Sequence, residues 1–240
     1  MLSYFLTCEL PGQGQCLPEP ILGALVRGVG LPAEIRRGLV FVPGEAKDRY
    51  TQDEQPPSLM MELYFDTITD LERMLAGEGL VHWLSAIFSA HHDNPALAAC
   101  TMSGQAMLSR DFACPHGACL QPGQEGFGYV VAYEGPAVDL NAWLSFYIAS
   151  HAPLLQKLPG VREVEISSEA MWCAPVAHGW KRETYMQRNH VLFDSAQALT
   201  DALHSPVRDE LRRDGQAFPP AGGRSPHFPM RTLAMHTAAG

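Results

Sequence analysis

Two histidines are the residues of this sequence best suited to chemistry. His151 lies in SHAPLLQKLPG, residues 150–160, two positions before a proline at the end of an amphipathic run, and His190 lies in ETYMQRNHVLFD, residues 183–194. Imidazole titrates near neutral pH, so each is a candidate general acid or base. At the place of His190, 128 residues earlier, stands Glu62, a carboxylate able to orient or charge the ring. Arg188 suits a carboxylate or phenolate, and Tyr129, Tyr133, Trp143, Tyr147 and Tyr185 offer aromatic walls, the tyrosines with hydroxyl donors. Each residue also has an assignment without chemistry. His151 can be a core-edge histidine donating to a carbonyl at a helix end, Glu62 and His190 solvated groups at a barrel mouth, and the aromatic residues ordinary core.

Positioning His151 falls to a helix over 139–158, where Leu140, Trp143, Leu144, Tyr147, Ile148, Leu155 and Leu158 form an apolar stripe that includes the histidine. Pro153 cannot donate to Ala149 and pushes Ala152 away from helical angles, so the first helical segment is predicted to end or kink near His151. There the negative end of the helix dipole favours the protonated ring, while burial favours the neutral one. His190 belongs to a strand on which Val191 and Phe193 face the helices. Met186, Arg188, His190 and Leu192 are then predicted to point the other way, into a barrel interior.

That interior is expected because the chain repeats itself. SYFLTCELP, from Ser3, lies over GYVVAYEGP, from Gly128, matching Tyr4 with Tyr129, Glu9 with Glu134 and Pro11 with Pro136 at a constant offset of 125 residues. LYFDTITDLERML, from Leu63, lies over VLFDSAQALTDAL, from Val191, matching Phe65 with Phe193, Asp66 with Asp194 and Leu71 with Leu199 at an offset of 128. In both of these, a strand runs into Asp-Thr or Asp-Ser, favoured at helix starts, and then leucines at helical spacing. Each copy reads strand, helix, strand, strand, helix, strand. In the second copy the elements fall at 128–134, 139–158, 161–167, 183–193, 195–213 and 228–236. This order is the split βαβ or ferredoxin-like plan, which leaves one sheet face bare. Two tandem copies closing sheet to sheet give an α+β fold, an intramolecular dimeric α+β barrel. The predicted units are residues 1–113 and 127–240, with 114–126 as linker.

The second copy resembles the EthD-like family of the dimeric α+β barrel superfamily. FYIASHAPLLQKLPGVREVEI, residues 146–166, and VLFDSAQALTDAL, residues 191–203, carry the likeness: histidine, proline, then Pro-Gly entering a strand, followed by Phe-Asp-Ser and a leucine-spaced helix. The first copy departs from it. GALVRGVGLPAEIRRGLVFV keeps the helix and strand pattern but has no histidine near Val29, which makes it a degenerate copy. The resemblance implies catabolism or tailoring of small organic, often aromatic or ether, compounds, without a metal or organic cofactor.

Composition narrows the partners. Seventeen Lys and Arg against 26 Asp and Glu give a net charge of −9, a field that repels nucleic acid and anionic lipid surfaces. No apolar run reaches the roughly 18 residues of a membrane span. Six thinly spread cysteines suggest reduced thiols and a cytoplasmic location. CPHGAC with HHD, residues 91–93, lacks the paired spacing of a zinc site, so no metal is expected. No dinucleotide fingerprint, phosphate loop or nucleophile elbow is present. The expectation is a cofactor-independent enzyme acting on a small hydrophobic or aromatic molecule in the barrel interior, with His151 as acid or base and His190 and Glu62 assisting. The alternatives are a noncatalytic binding or stress-associated protein of the same fold, and a dry assembly module. The chain is expected to be a monomeric pseudo-dimer or to pair into a further homodimer.

Overall fold

In the computed structural model, which describes residues 1–12, 15–51, 55–77, 79–90, 97, 99–115, 117–173 and 179–237, alternating apolar residues build a closed sheet. The first half contributes β1 (Leu2–Glu9), α1 (Glu19–Arg27), β2 (Arg37–Pro43), β3 (Leu59–Phe65), α2 (Ile68–Ala76), α3 (Gly79–Ser89) and β4 (Thr101–Phe112). The second contributes β5 (Glu125–Tyr133), α4 (Leu140–Phe146), a π-helical turn (Tyr147–His151), α5 (Ala152–Leu155), β6 (Glu163–Glu169), the short β7 (Lys181–Arg182), β8 (Gln187–Phe193), α6 (Ala196–Leu203), α7 (Pro206–Gly215) and β9 (His227–Ala234).

The strands run β4-β1-β3-β2 in the first half and β9-β5-β8-β6 in the second, the same order by position in each. Pairing of β2 with β9 and of β6 with β4 closes eight antiparallel strands into a barrel. β7 adds to β4 in parallel. The registers also correspond: Tyr4 stands opposite Leu63, and Tyr129 opposite Val191, so the two sequence offsets describe the same strand pair twice. The predicted fold, two ferredoxin-like units closing one α+β barrel within a single chain, is the observed one.

Period-two alternation separates the two surfaces of the barrel wall. Outward residues of β1 and β3, such as Tyr4, Leu6, Leu63 and Phe65, pack under α1–α3, while Tyr129, Val131, Val191 and Phe193 pack under α4–α7. The inward set includes Phe5, Phe41, Met60, Tyr64, Val130 and Leu192, each at most 2% exposed. Leu192 thus points inward as predicted. Met186 does not: it lies one residue before β8 begins, outside the alternation, and packs on the helix side.

Caps fix the helix starts. Thr67, Ser195 and Asp139 accept hydrogen bonds from the backbone N–H groups of Asp70, Ala198 and Ala142, at 3.1, 3.2 and 2.9 Å, each worth about 1 kcal/mol. The first α-helical segment ends at Phe146, near His151 as expected, but the chain stays helical through Pro153. It widens into the π turn, where the Ala152 N–H reaches back to the Tyr147 carbonyl, and Ala152 keeps helical angles (φ −59°, ψ −42°). The extra residue in the turn accommodates the proline ring that an α-helix would exclude. Among the described residues, no helix is long and apolar enough to cross a membrane.

Candidate active site

The barrel interior holds a buried charged cluster. Glu62 on β3 and His190 on β8 meet there, with His190 Nδ1 3.0 Å from Glu62 Oε2. The other ring nitrogen, Nε2, lies 3.2 Å from Glu163 Oε1 on β6, and Arg37 on β2 donates to both Glu163 oxygens at 2.6 and 2.8 Å. Tyr64 donates to Glu165 at 3.1 Å, and hydrogen-bonded Ser3, Ser109 and Ser167 extend the network. Burial opposes charge on His190, yet its hydrogen bonds to Glu163 and Glu62 and the negative potential of Glu62 and Glu165 raise its pKa well above the usual value. Burial likewise opposes ionisation of Glu163, but the bond to His190 and the charges of His190 and Arg37 hold its carboxyl at about 2. Glu62 is also held low, against its burial, by His190. Burial and then the charge of Glu62 push Glu165 well up, so Glu165 is the carboxyl that stays protonated. The cations His190 and Arg37 therefore balance the anions Glu62 and Glu163.

His190 has both nitrogens engaged, and it is 1% exposed. Such a ring has no free lone pair and no path to a substrate. The donor atoms of Glu62, Glu165 and His190 lie within 4.8 Å of one another, as do those of Asp111, Glu163 and Glu165, and these are the described side chains with the spacing to hold a metal ion. Most are already committed to one another. His91, His92, Asp93 and His116 lie outside the described residues.

His151 occupies a different place. It is on the helix side of the second sheet, bordering a cleft of about 260 Å³ between β5, β8 and β9 and the helices α5–α7. This corrects the expectation that His151 serves a chamber inside the barrel: Trp143, Tyr147, Leu155 and Leu158 of its stripe pack on the outward face of the sheet, while Leu140 is exposed. Its Nδ1 lies 2.8 Å from Asp214 Oδ2 on α7, and Ser150 donates to the other Asp214 oxygen. The ring is also packed against Tyr147 (4.8 Å between centroids) and Phe218 (5.0 Å, edge-on). Burial lowers the pKa of His151, outweighing the opposing hydrogen bond and charge of Asp214, so the ring is neutral near pH 7. With Nδ1–H donated to the carboxylate, Nε2 carries the lone pair, and no described residue hydrogen-bonds to it.

The same cleft is lined by Tyr129, Tyr133, Tyr147, Asn189, Phe218 and His227, among others. Asn189 Nδ2 donates to the Tyr147 hydroxyl. Tyr129 donates to Asp48 at 3.3 Å, and Asp48 in turn is clasped by Arg208 at 2.7 and 3.0 Å. Trp143 stands one layer back, stacked on Tyr147 at 5.3 Å and supporting it. The loop after α7, rich in proline and glycine, delivers Phe218 and Ser225 to this cleft.

The candidate residues from the sequence thus fall into two groups on opposite faces of one sheet. His151, Tyr129, Tyr147 and, behind them, Trp143 are on the helix side; Glu62, His190 and Arg188 are inside. Arg188 is 1% exposed, ion-paired with Glu183 and stacked over Phe5 (4.8 Å) and Tyr185 (4.4 Å), so it is not free to bind an anion. Tyr185 lines a larger groove of about 670 Å³ at one end of the barrel, with Glu134, Glu169 and Glu183; no imidazole lines that groove. Asp214, Asn189, Phe218 and His227 were not singled out from the sequence. Asn189 had a signal, since it is the polar member of the outward set Asn189, Val191, Phe193. Asp214 had none, because a solvated helix end looks the same.

No family model matches the sequence, and no curated protein matches it. Two solved structures share the architecture over the whole chain. An anthrone oxidase-like protein is 13% identical with a TM-score of 0.59, covering 100% of this chain and 97% of its own. A putative monooxygenase from Lactobacillus acidophilus is 10% identical with a TM-score of 0.51, covering 100% and 98%. An EthD family protein from Bacillus halodurans is 20% identical, covers 41% of this chain and 98% of its own, and has a TM-score of 0.33. The first two likenesses place the chain in the dimeric α+β barrel architecture, and at such identities they concern the fold.

Proposed function

We propose that this chain binds a small hydrophobic or aromatic molecule in the helix-side cleft and removes a proton from it through His151 Nε2. The carrying observation is the His151–Asp214 pair at 2.8 Å beside the 260 Å³ cleft, with the imidazole neutral. Asp214 fixes the tautomer and stabilises the imidazolium that forms on proton transfer, as an orienting carboxylate does beside a catalytic histidine. Tyr129, Tyr133, Tyr147 and Phe218 supply aromatic contact on the walls. The volume lies just below the roughly 300–1,000 Å³ of ordinary ligand pockets, which selects a small ligand.

Proton transfer by an imidazole needs no cofactor of its own. It converts a phenol or an activated C–H into an electron-rich anion, a starting point for the oxidations that the names of the two fold neighbours describe. On this reading the role is a catabolic or tailoring step in the cytoplasm, carried out by units 1–113 and 127–240 as descendants of one duplicated module. His190 and Glu62, first expected to assist, are assigned to the framework.

The test uses 4-nitrophenol, whose ionised form is yellow. Bound to the intact protein at a pH below its own ionisation, it is expected to show the phenolate band. His151→Phe is expected to bind it colourless, and Asp214→Asn to weaken the band by about tenfold, the scale of losing an orienting partner. A phenolate band of equal strength in His151→Phe would falsify the proposal. Colourless binding by the wild-type protein would leave a noncatalytic binder as the better reading.

A further inference from the structure

Two buried polar atoms in the cleft have no hydrogen-bond partner: Asn189 Oδ1 and His227 Nδ1. Both residues line the same cavity as His151. A side chain buried to 2% exposure, as Asn189 is, normally finds partners for all its polar atoms, because leaving one unpaired forfeits its hydration without return. An orphaned pair on a cavity wall is what a ligand's polar groups would satisfy.

The chemistry of those groups follows from what each atom can do. Asn189 spends its N–H on the Tyr147 hydroxyl, so its free atom is a carbonyl oxygen, which accepts a hydrogen bond and calls for an O–H or N–H on the ligand. His227 sits with its ring 5.5 Å from that of Tyr129. Burial, opposed by the Ser225 backbone, lowers its pKa to about 4, so it too presents a neutral ring. His151 Nε2 is a third acceptor-capable atom. The nearby cation Arg208 is already paired with Asp48, and Asp48 also takes the Tyr129 hydroxyl. Arg212, exposed at the rim, lies over the Tyr50 ring (4.5 Å), so the buried lining atoms left unpaired between the aromatic walls are those of Asn189 and His227.

We infer that Asn189 and His227 form a second polar station, and that the ligand is a neutral arene bearing two hydroxyl groups, one directed to His151 and the other to this station. The inference rests on the cleft being the ligand site, as proposed above. It makes Asn189 and His227 specificity-determining residues that read a donor remote from the proton removed by His151. A ring with a single hydroxyl would leave the station unsatisfied, and a methyl ether in place of the second hydroxyl would offer no donor.

Resorcinol and 3-methoxyphenol differ by that one donor and serve as probes, with affinities measured by calorimetry on the full chain. The wild-type protein is expected to bind resorcinol at least tenfold more tightly. His227→Phe, which keeps a ring against Tyr129, and Asn189→Leu are each expected to bring the two affinities within threefold, while 3-methoxyphenol binding changes by less than threefold. Thermal unfolding identifies which variants are folded, and loss of the preference in either folded variant supports the station. Equal affinities in the wild-type protein, or a preference that survives in both variants, overturns it while leaving the cleft a binding site. Failure of both probes to bind overturns the cleft reading itself.

Discussion

The two histidines singled out from the sequence ended up on opposite faces of the same sheet, and the contrast between them is instructive. His190 is the more perturbed group: buried among carboxylates, with both nitrogens bonded and its pKa driven up. His151 is shifted the other way, has one nitrogen held by Asp214, and borders a cavity. Perturbation alone would rank His190 first as a functional residue. Access and an uncommitted lone pair favour His151 instead. A buried imidazole between two anions is framework, and a half-satisfied one beside a hollow is equipment.

The largest effect separating the two regions should be in stability. Glu62→Ala strips the charged His190 of one partner inside the barrel and is expected to cost about 3–5 kcal/mol, measured by urea unfolding, whereas Asp214→Asn at the cleft should cost about 1 kcal/mol. Comparable costs would dissolve the distinction between framework and site. The next effect is a difference in sign with pH. His190, with its folded pKa raised, contributes stability that is fully present below about 6.5 and is lost as pH rises above it; His151, with its pKa lowered, contributes stability that is lost as pH falls below about 6.5. Imidazole NMR titrations should therefore place the two rings on either side of that value, and His190→Asn should flatten the decline of stability toward alkaline pH. Two rings titrating together would erase the contrast. The smallest effect is at the barrel end, where Tyr185→Phe should change cleft affinity for 4-nitrophenol by less than twofold, since Tyr185 lines a separate groove. A tenfold loss there would move the site.

Much of the fold could be read in advance because its signals are local and doubled. Phe-Asp-Thr and Phe-Asp-Ser each mark a strand running into a capped helix, and the near-constant offset between them set the strand order of both halves. Strand alternation also brought Glu62 and His190 to one interior position. It could not show that Glu163, on another strand, takes the second nitrogen. The first α-helical segment does stop short of His151, at Phe146, but Ala152 keeps helical angles because a π turn offered the backbone a route that sequence rules for α-helices omit. His151 was misplaced because the helix that carries it packs on the outward face of the sheet, while the interior is packed by side chains such as Phe5, Phe41, Met60 and Tyr64 that meet across strands distant in the chain.

By itself the sequence determined which residues alternate, where helices begin, that the chain holds two equivalent strand orders, and which residue types were available for chemistry. These depend on neighbours a few positions apart, or on the same strand order recurring in both halves of the chain. Tertiary structure decided which of those residues meet. Asp214 reaches His151 across 63 residues, and Glu163 reaches His190 across 27. An imidazole becomes a base or a buried cation according to whether such distant carboxylates take one of its nitrogens or both, and that count exists only once the barrel has closed.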